Sequence, residues 1–261
     1  SVIEQSAKDQ IDLMSTHPAI RELISIMPDV HAGAGCVIGF TGKFKQSVIP
    51  NIVGVDIGCG IMSYRLDQKY INFEAFDAFI RENIPTGFKS HSTKSANNAW
   101  KNTIFGNEFE DFKDIVCKSL KFIEDNKLTG HPELQLGTLG GGNHFIEVEK
   151  GLNDELYLTV HTGSRNFGLQ VANFYQRKAK ALMEEMNISI PKDLEYLPLS
   201  AGGNEYFEMM KVAQKYAYYN RLITIRLMLK HITEEYKSEN LIESVHNYIS
   251  FKDGIVRKGA I

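Results

Sequence analysis

The sequence predicts an α+β fold in which a mixed sheet core carries a long, projecting helical hairpin. Short apolar runs bounded by glycine alternate with segments whose apolar residues recur at helical spacing. Two long helical segments follow at about 167–187 and 205–232, separated by a loop that contains proline and paired glycines. We therefore expect residues 1–261 to form a single domain, with residues 167–232 as a helical hairpin inserted in it.

The composition is that of a soluble globular protein. The 261 residues are 43% apolar, enough to bury a sizeable core, and the formal net charge is -3. Without a basic excess, a nucleic-acid partner must be held by a local patch or by bound cations. No apolar run approaches the roughly 20 residues of a membrane span. Three scattered cysteines exclude a disulfide framework and favour a cytoplasmic location.

The amino-terminal part is predicted to alternate helix and strand. Apolar spacing predicts a helix at 6–16, and the following segment IRELISIM is predicted to be extended. Strands are predicted at 35–41 and 61–66. The intervening stretch IPNIVGVDIG is predicted to be an extended apolar passage.

Two amphipathic helices are predicted next. A phenylalanine stripe marks a helix at 73–82 with Asn72 as its cap, and a second helix is predicted at 109–125. The apolar face of that second helix is predicted to comprise Phe112, Ile115, Val116, Leu120 and Ile123. Beyond it, HFIEVEK and ELYLTVH are predicted to pair as a hairpin through GLND, and the last 21 residues are predicted to form a strand, a DG turn and a further strand.

Five short segments beside these strands carry the chemistry. They are MPDVHAGAG, GVDIGCG, LGGGNHFIEV, HTGSR and HNY. The candidate metal ligands among them are Asp56, Cys59, His144, His161 and His246. Mixed carboxylate, thiolate and imidazole ligands are typical of a site for a soft-to-borderline metal ion. The turn after His161 also suits an oxyanion, because backbone N–H groups at a helix start and the Arg165 guanidinium both bind phosphate well.

Each segment has a purely structural interpretation as well. Asp56 could form an Asx turn beside an unreactive cysteine, and His144 could simply cap its glycine turn. His246 lies in an apolar strand, where a hydrogen-bonded core histidine is common. The turn containing Arg165 could be a helix cap with a surface arginine.

All of these motifs, in this order, resemble the RtcB family of RNA ligases. The resemblance runs from about residue 6 to the last residue and includes AQKYAYYNR at 213–221 and VRKGA at 256–260. It implies a GTP- and Mn²⁺-dependent enzyme of RNA repair or tRNA splicing. Such an enzyme joins RNA ends carrying a 3′-phosphate or 2′,3′-cyclic phosphate to 5′-hydroxyl ends. RNA and guanine nucleotide are then its partners, with a helper protein as a further candidate.

The resemblance also implies roles for individual residues. Two Mn²⁺ ions would share the Cys59 sulfur, with Asp56 and His144 completing one site and His161 and His246 the other.

Further roles concern the substrates. Asn143 would face the nucleotide phosphates, and Phe145 and Glu147 would lie near the guanosine. Arg165 would contact the RNA or its terminal phosphate, and Asp29 would line the site for the RNA end.

The sequence departs from the family at three places. The family's guanylylated histidine lies in a CHGAGR-like motif beyond RKGA, whereas this sequence ends at Ile261. We expect a fragment of a longer ligase in preference to a truncated relative. A lysine of the family's H-x-G-K-G stretch is Ala34 here, and the histidine before RKGA is Val256. These two changes affect the expected substrate range and RNA contact, and leave the metal ligands intact.

Two alternative functions use the same ligands. A dinuclear metal-dependent phosphatase or cyclic phosphodiesterase would activate water without a nucleophilic histidine. A catalytically silent module would bind RNA ends and turn nothing over.

Overall fold

The computed structural model describes residues 3–44, 46–250 and 253–259, apart from the side chains of residues 21–23. The helices are α1 (Gln5–Ser15), α2 (Pro50–Val53), α3 (Phe73–Asn83), α4 (Thr93–Thr103), α5 (Glu108–Asp125), α6 (Arg165–Glu185) and α7 (Gly203–His231). The strands are β1 (Ile20–His31), β2 (Ile38–Phe44), β3 (Ser47–Val48), β4 (Gly60–Arg65), β5 (Phe145–Lys150), β6 (Leu156–Thr162), β7 (Leu197–Pro198), β8 (Leu241–Val245), β9 (Asn247–Ile249) and β10 (Ile255–Lys258). The predicted α+β class is confirmed.

The chain divides into two compact units. The first unit comprises the residues up to Gly58, Gly168–Ala213 and the residues from Val245 onward. Its main sheet has the order β1-β2-β10-β9, and all three neighbouring pairs are antiparallel. Alternate residues of a strand point to the same face of the sheet, and on β2 Phe40 and Phe44 share a face and are both buried.

The second unit comprises Cys59–Phe167 and Gln214–Ser244. Its sheet has the order β5-β6-β4-β8, with β6 antiparallel to both of its neighbours. Because β6 is an inner strand, all of its residues from Leu158 onward are buried. Phe112 on the buried face of α5 packs edge-to-face against Tyr219 of α7, and the carboxy-terminal part of α7 is buried almost throughout.

Several predicted elements are confirmed. Helices α1, α3 and α5 and the β5–β6 hairpin lie within one or two residues of their predicted positions. The Asn72 side chain accepts a hydrogen bond from the Ala75 amide at 3.1 Å, as expected of the cap of α3. The two long helices are present as α6 and α7, and the chain ends with antiparallel β9 and β10.

Other predictions were wrong in detail. IPNIVG is not extended, because Pro50 opens the one-turn helix α2, where its fixed φ and missing N–H are favourable. Helix α4 was not predicted. Its buried residues are the small Ala96, Ala99 and Thr103, which leave no apolar stripe in the sequence. On α5, Leu120 is 37% exposed, and Phe122 is buried instead.

None of the described helices is long and apolar enough to cross a membrane.

Stability should depend on pH through His17 in the first unit. Its Nδ1 accepts from the Ala19 amide at 3.1 Å and its Nε2 lies 2.9 Å from the Leu194 carbonyl, so the ring is held neutral with the proton on Nε2. Burial lowers the pKa of His17 in the folded chain. Between that lowered value and the unfolded value of about 6.5, the unfolded chain binds more protons. The contribution of His17 to the free energy of unfolding should therefore be fully present above this window and be lost as the pH is lowered through it.

We expect His17→Gln to reduce this pH dependence, measured by urea denaturation between pH 7 and pH 5. His131→Gln is the matched control, because the His131 side chain is 75% exposed. A slope in His17→Gln equal to that of the unsubstituted chain would contradict the assignment.

Candidate metal and nucleotide site

Three adjacent strands of the second unit bring Cys59, His144 and His161 together. Cys59 directly precedes β4, His144 directly precedes β5, and His161 lies near the end of β6. In the sheet register, His161 is opposite both Ile61 and Phe145. Residues separated along the chain by about a hundred positions therefore meet at one edge of the sheet.

The three side chains are in direct contact. Cys59 Sγ lies 3.3 Å from His161 Nε2 and 3.6 Å from His144 Nε2. Cys59 is 3% exposed and His161 is 5% exposed. The two imidazole rings are edge-to-face, with centroids 5.5 Å apart.

Backbone carbonyls fix the orientation of both rings. His144 Nδ1 lies 3.0 Å from the Leu139 carbonyl, and His161 Nδ1 lies 2.9 Å from the Asn143 carbonyl. A carbonyl only accepts hydrogen bonds, so each Nδ1 must carry a proton. In the neutral rings the lone pair is then on Nε2, the atom directed at the Cys59 sulfur. Metal-binding histidines show the same arrangement, in which the second ring nitrogen donates to a backbone or carboxylate oxygen.

The spacing of these atoms fits a metal ion bound between the sulfur and each imidazole nitrogen. For metal–sulfur and metal–nitrogen bonds of about 2.3 and 2.1 Å meeting at about 90–110°, the sulfur and nitrogen would be about 3.1–3.6 Å apart. The two observed distances lie in this interval. The ring orientation and the sulfur–nitrogen spacing thus both suit a metal ion.

Hydrogen bonds within the first unit connect the segment that contains Asp56 to the segment that contains His246. The Gly58 amide donates to the Asn247 carbonyl at 2.8 Å, and the Asn247 side-chain amide donates to the Asp56 carbonyl at 3.3 Å. Gly58 has φ +72°, which favours glycine at this tight turn. Asn247 thereby fastens His246 to the turn that leads into Cys59.

Two sets of side chains have potential ligand atoms within 4.8 Å of one another. They are Asp56, Cys59 and His144, and Cys59, His161 and His246. Cys59 is common to both sets, and metal binding by these residues stays a prediction.

The predicted nucleotide residues lie at the end of the glycine loop, which we define as residues 139–143, and on the strand that follows it. Asn143 is exposed, and its carbonyl holds His161. The Phe145 ring is tilted against the His161 ring, with centroids 5.2 Å apart. Glu147 is exposed on β5. No described contact tests their predicted role in nucleotide binding.

Arg165 begins α6, as the HTGSR motif predicts, but part of its guanidinium is engaged by the protein. Its Nε donates to Thr138 Oγ1 at 3.1 Å and its Nη2 to the Gly87 carbonyl at 2.9 Å. The next amide of the helix, that of Asn166, donates to the Gln135 side chain at 3.1 Å. The Asn166 amide is therefore engaged within the protein. A contact between Arg165 and RNA stays a prediction.

Asp29 lies exposed on β1. Its carbonyl is 2.9 Å from His31 Nδ1, and none of its described contacts involves another predicted site residue. Its role at the RNA end stays a prediction.

Asn220 of α7 is a positioning residue that the sequence did not reveal. Its Oδ1 accepts from the amides of Gly137 and Thr138 at 2.8 and 3.1 Å. Its Nδ2 donates to the carbonyls of Thr138 and Gly163 and to Thr162 Oγ1 at 3.1, 3.2 and 3.3 Å. One fully buried amide thus ties the strand end after His161 to the segment before the glycine loop. The signals were the AQKYAYYNR segment, which contains this residue, and the polar pair Asn220-Arg221 within an apolar helix.

Asn220→Ala should leave several buried backbone groups without partners. We expect a loss of about 2–5 kcal/mol in the free energy of unfolding, since each orphaned buried group costs about 1–3 kcal/mol. Urea denaturation measures it, and Asn97→Ala on the exposed face of α4 should change stability by about 0.5 kcal/mol or less. Similar small effects for both variants would contradict this role for Asn220.

Comparison with known proteins identifies related sequences. A family model described as tRNA-splicing ligase RtcB matches residues 10–261. The RNA-splicing ligase RtcB of Escherichia coli is 28% identical over 289 aligned positions, which cover 99% of this chain and 69% of that protein. The tRNA-splicing ligase RtcB of Archaeoglobus fulgidus is 27% identical, covering 97% of this chain and 62% of that protein. For the protein of the same name from Thermococcus kodakarensis the values are 28%, 90% and 58%.

Proposed function

Since the chain belongs to the RtcB family and is an RtcB-type RNA ligase that acts on RNA, we propose that it serves a GTP- and Mn²⁺-dependent joining reaction. The substrates are RNA ends carrying a 3′-phosphate or a 2′,3′-cyclic phosphate, and RNA ends carrying a 5′-hydroxyl. The proposed setting is tRNA splicing or RNA repair in the cytoplasm, with a helper protein as a candidate partner.

The observation that carries this proposal is the fixed pair of imidazoles at the Cys59 sulfur. Their Nδ1 atoms are held by carbonyls, and their Nε2 atoms lie at metal-binding spacing from one thiol. We assign one Mn²⁺ to Asp56, Cys59 and His144, and the other to Cys59, His161 and His246. Ions bound there would neutralise phosphate charge and polarise phosphoryl oxygens.

The residues of the chain would then bind and orient the reacting groups. The glycine loop offers exposed backbone at Gly142, where an added Cβ would meet nothing within 4 Å, so a phosphate can approach the main chain closely. Asn143 follows it and is assigned to the nucleotide phosphates, with Phe145 and Glu147 assigned to the guanosine. Phosphoryl transfer depends mainly on such positioning and on charge neutralisation.

Metal binding should depend on the buried thiol of Cys59 and not on the exposed thiol of Cys117. We expect Cys59→Ser to lose both Mn²⁺ ions in equilibrium dialysis with elemental analysis, because both proposed sites share this sulfur. Cys117→Ser is the matched control, since Cys117 is an exposed cysteine on α5. Retention of two Mn²⁺ ions by Cys59→Ser would contradict the shared-ligand assignment.

The reaction class can be tested with one set of labelled RNA strands. We expect RNA ending in a 3′-phosphate to be joined to RNA beginning with a 5′-hydroxyl only when GTP and Mn²⁺ are both present and a CHGAGR-like segment, which residues 1–261 do not contain, supplies the guanylylated histidine. Release of inorganic phosphate or opening of a cyclic phosphate without joining would instead favour a hydrolase. Binding of RNA ends without any turnover would favour a silent binding module.

A further inference from the structure

The segment of residues 85–90, which we call the Phe88 loop, carries an aromatic ring in full contact with solvent. Phe88 is 105% exposed relative to its reference state. Single exposed apolar residues are common on protein surfaces, so this exposure alone indicates nothing. What distinguishes Phe88 is the backbone that holds it and the loop to which that backbone is bonded.

The Phe88 loop is hydrogen-bonded to the glycine loop of residues 139–143. The Leu139 amide donates to the Pro85 carbonyl at 3.0 Å, and the Gly87 amide donates to the Gly140 carbonyl at 2.7 Å. Thr86 and Gly140 also form a β-bridge. The Phe88 loop is therefore attached to the loop that ends in Asn143 and His144.

Two further contacts make the Phe88 loop a fixed turn. The Lys89 amide donates to the Thr86 carbonyl at 3.2 Å, and Arg165 Nη2 donates to the Gly87 carbonyl at 2.9 Å. Gly87 has φ +63°, and an added Cβ there would meet nothing within 4 Å. Glycine is thus needed for the turn conformation and not for space. The exposed ring projects from a backbone that is held in place before any ligand binds.

The surroundings of Phe88 suit a nucleic-acid strand. The neighbouring glycine loop has exposed, side-chain-free backbone at Gly141 and Gly142. Lys89 is exposed, and no described carboxylate forms an ion pair with it. The Leu139 carbonyl, one residue from the Gly140 contact, is the group that holds His144 Nδ1. The Phe88 loop thus offers an aromatic face and a cation, and its hydrogen bonds attach it to the bare backbone of the loop that leads into His144.

We propose that the Phe88 loop is a subsite for single-stranded RNA beside the reacting end. Phe88 stacks against one base of the strand, and Lys89 neutralises an adjoining phosphate. Aromatic stacking accepts any base, because every base has a π face, so this contact holds the strand without reading its sequence. The inference rests on the proposed function, since it assumes that the RNA end lies at the Cys59 cluster.

The test is RNA binding, measured by fluorescence anisotropy with a short single-stranded RNA that ends in a 3′-phosphate. We expect Phe88→Ala to weaken binding by about tenfold or more, and Phe88→Trp to restore it. Leu152→Ala is the matched control, because Leu152 is 102% exposed on the β5–β6 turn and should be silent. Lys89→Ala should lower the salt dependence of binding by about one phosphate contact.

An abasic scan of the same RNA separates stacking from other effects. Where the missing base is the one that stacks, the unsubstituted chain and Phe88→Ala should bind equally well. No loss in Phe88→Ala, or a loss that persists at every abasic position, would overturn the inference. Absence of RNA binding by the unsubstituted chain would contradict the proposed function itself, and this subsite with it.

Discussion

The hydrogen bonds from the Nδ1 atoms of His144 and His161 to backbone carbonyls determine what the Cys59 cluster can do. They place the proton of each neutral ring on the side away from the sulfur, so that both Nε2 lone pairs are directed at it. A thiol has one proton to offer two such nitrogens. Two metal ions that share the thiolate, one beside each imidazole, would satisfy all three groups, with bond lengths that the observed spacing accommodates.

This arrangement requires the glycine loop to be held firmly, because the loop supplies both carbonyls. Helix α7 performs that task from the interior. Asn220 binds the segment before the loop, and the adjacent Arg221, fully buried, donates to the Thr162 carbonyl at 2.8 Å and pairs with Glu243. Burying an arginine is costly unless it is paired and hydrogen-bonded, as it is here. Polar residues inside an otherwise apolar helix therefore serve the geometry of the site.

The sequence was sufficient to nominate the candidate ligands because their signals are local. Four of the five candidates lie in short glycine-containing segments beside apolar strands, whereas His246 lies between β8 and β9 in a segment without glycine. The Asn72 cap and the helix that follows the HTGSR turn are also local features, and both were predicted, the helix about two residues later than it begins.

The missed features depend on partners that are distant in sequence. Asn220 forms hydrogen bonds with partners that are 83 and 58 positions away in the sequence, and Arg165 donates to a carbonyl that is 78 positions away. No local sequence pattern predicts either contact. Helix α4 packs through alanines, which give no amphipathic stripe. The short helix α2 escaped because a single turn after a proline has too few residues to show helical periodicity.

X-ray absorption at the manganese edge of the Mn²⁺-loaded chain tests the central claim most directly. A thiolate shared by two Mn²⁺ ions should give a sulfur shell at about 2.3–2.5 Å, close to the zinc–thiolate distance of about 2.3 Å, together with imidazole scattering from the histidines. A first shell made only of nitrogen and oxygen would show that Cys59 does not bind the metal, and the shared-thiolate site would be contradicted.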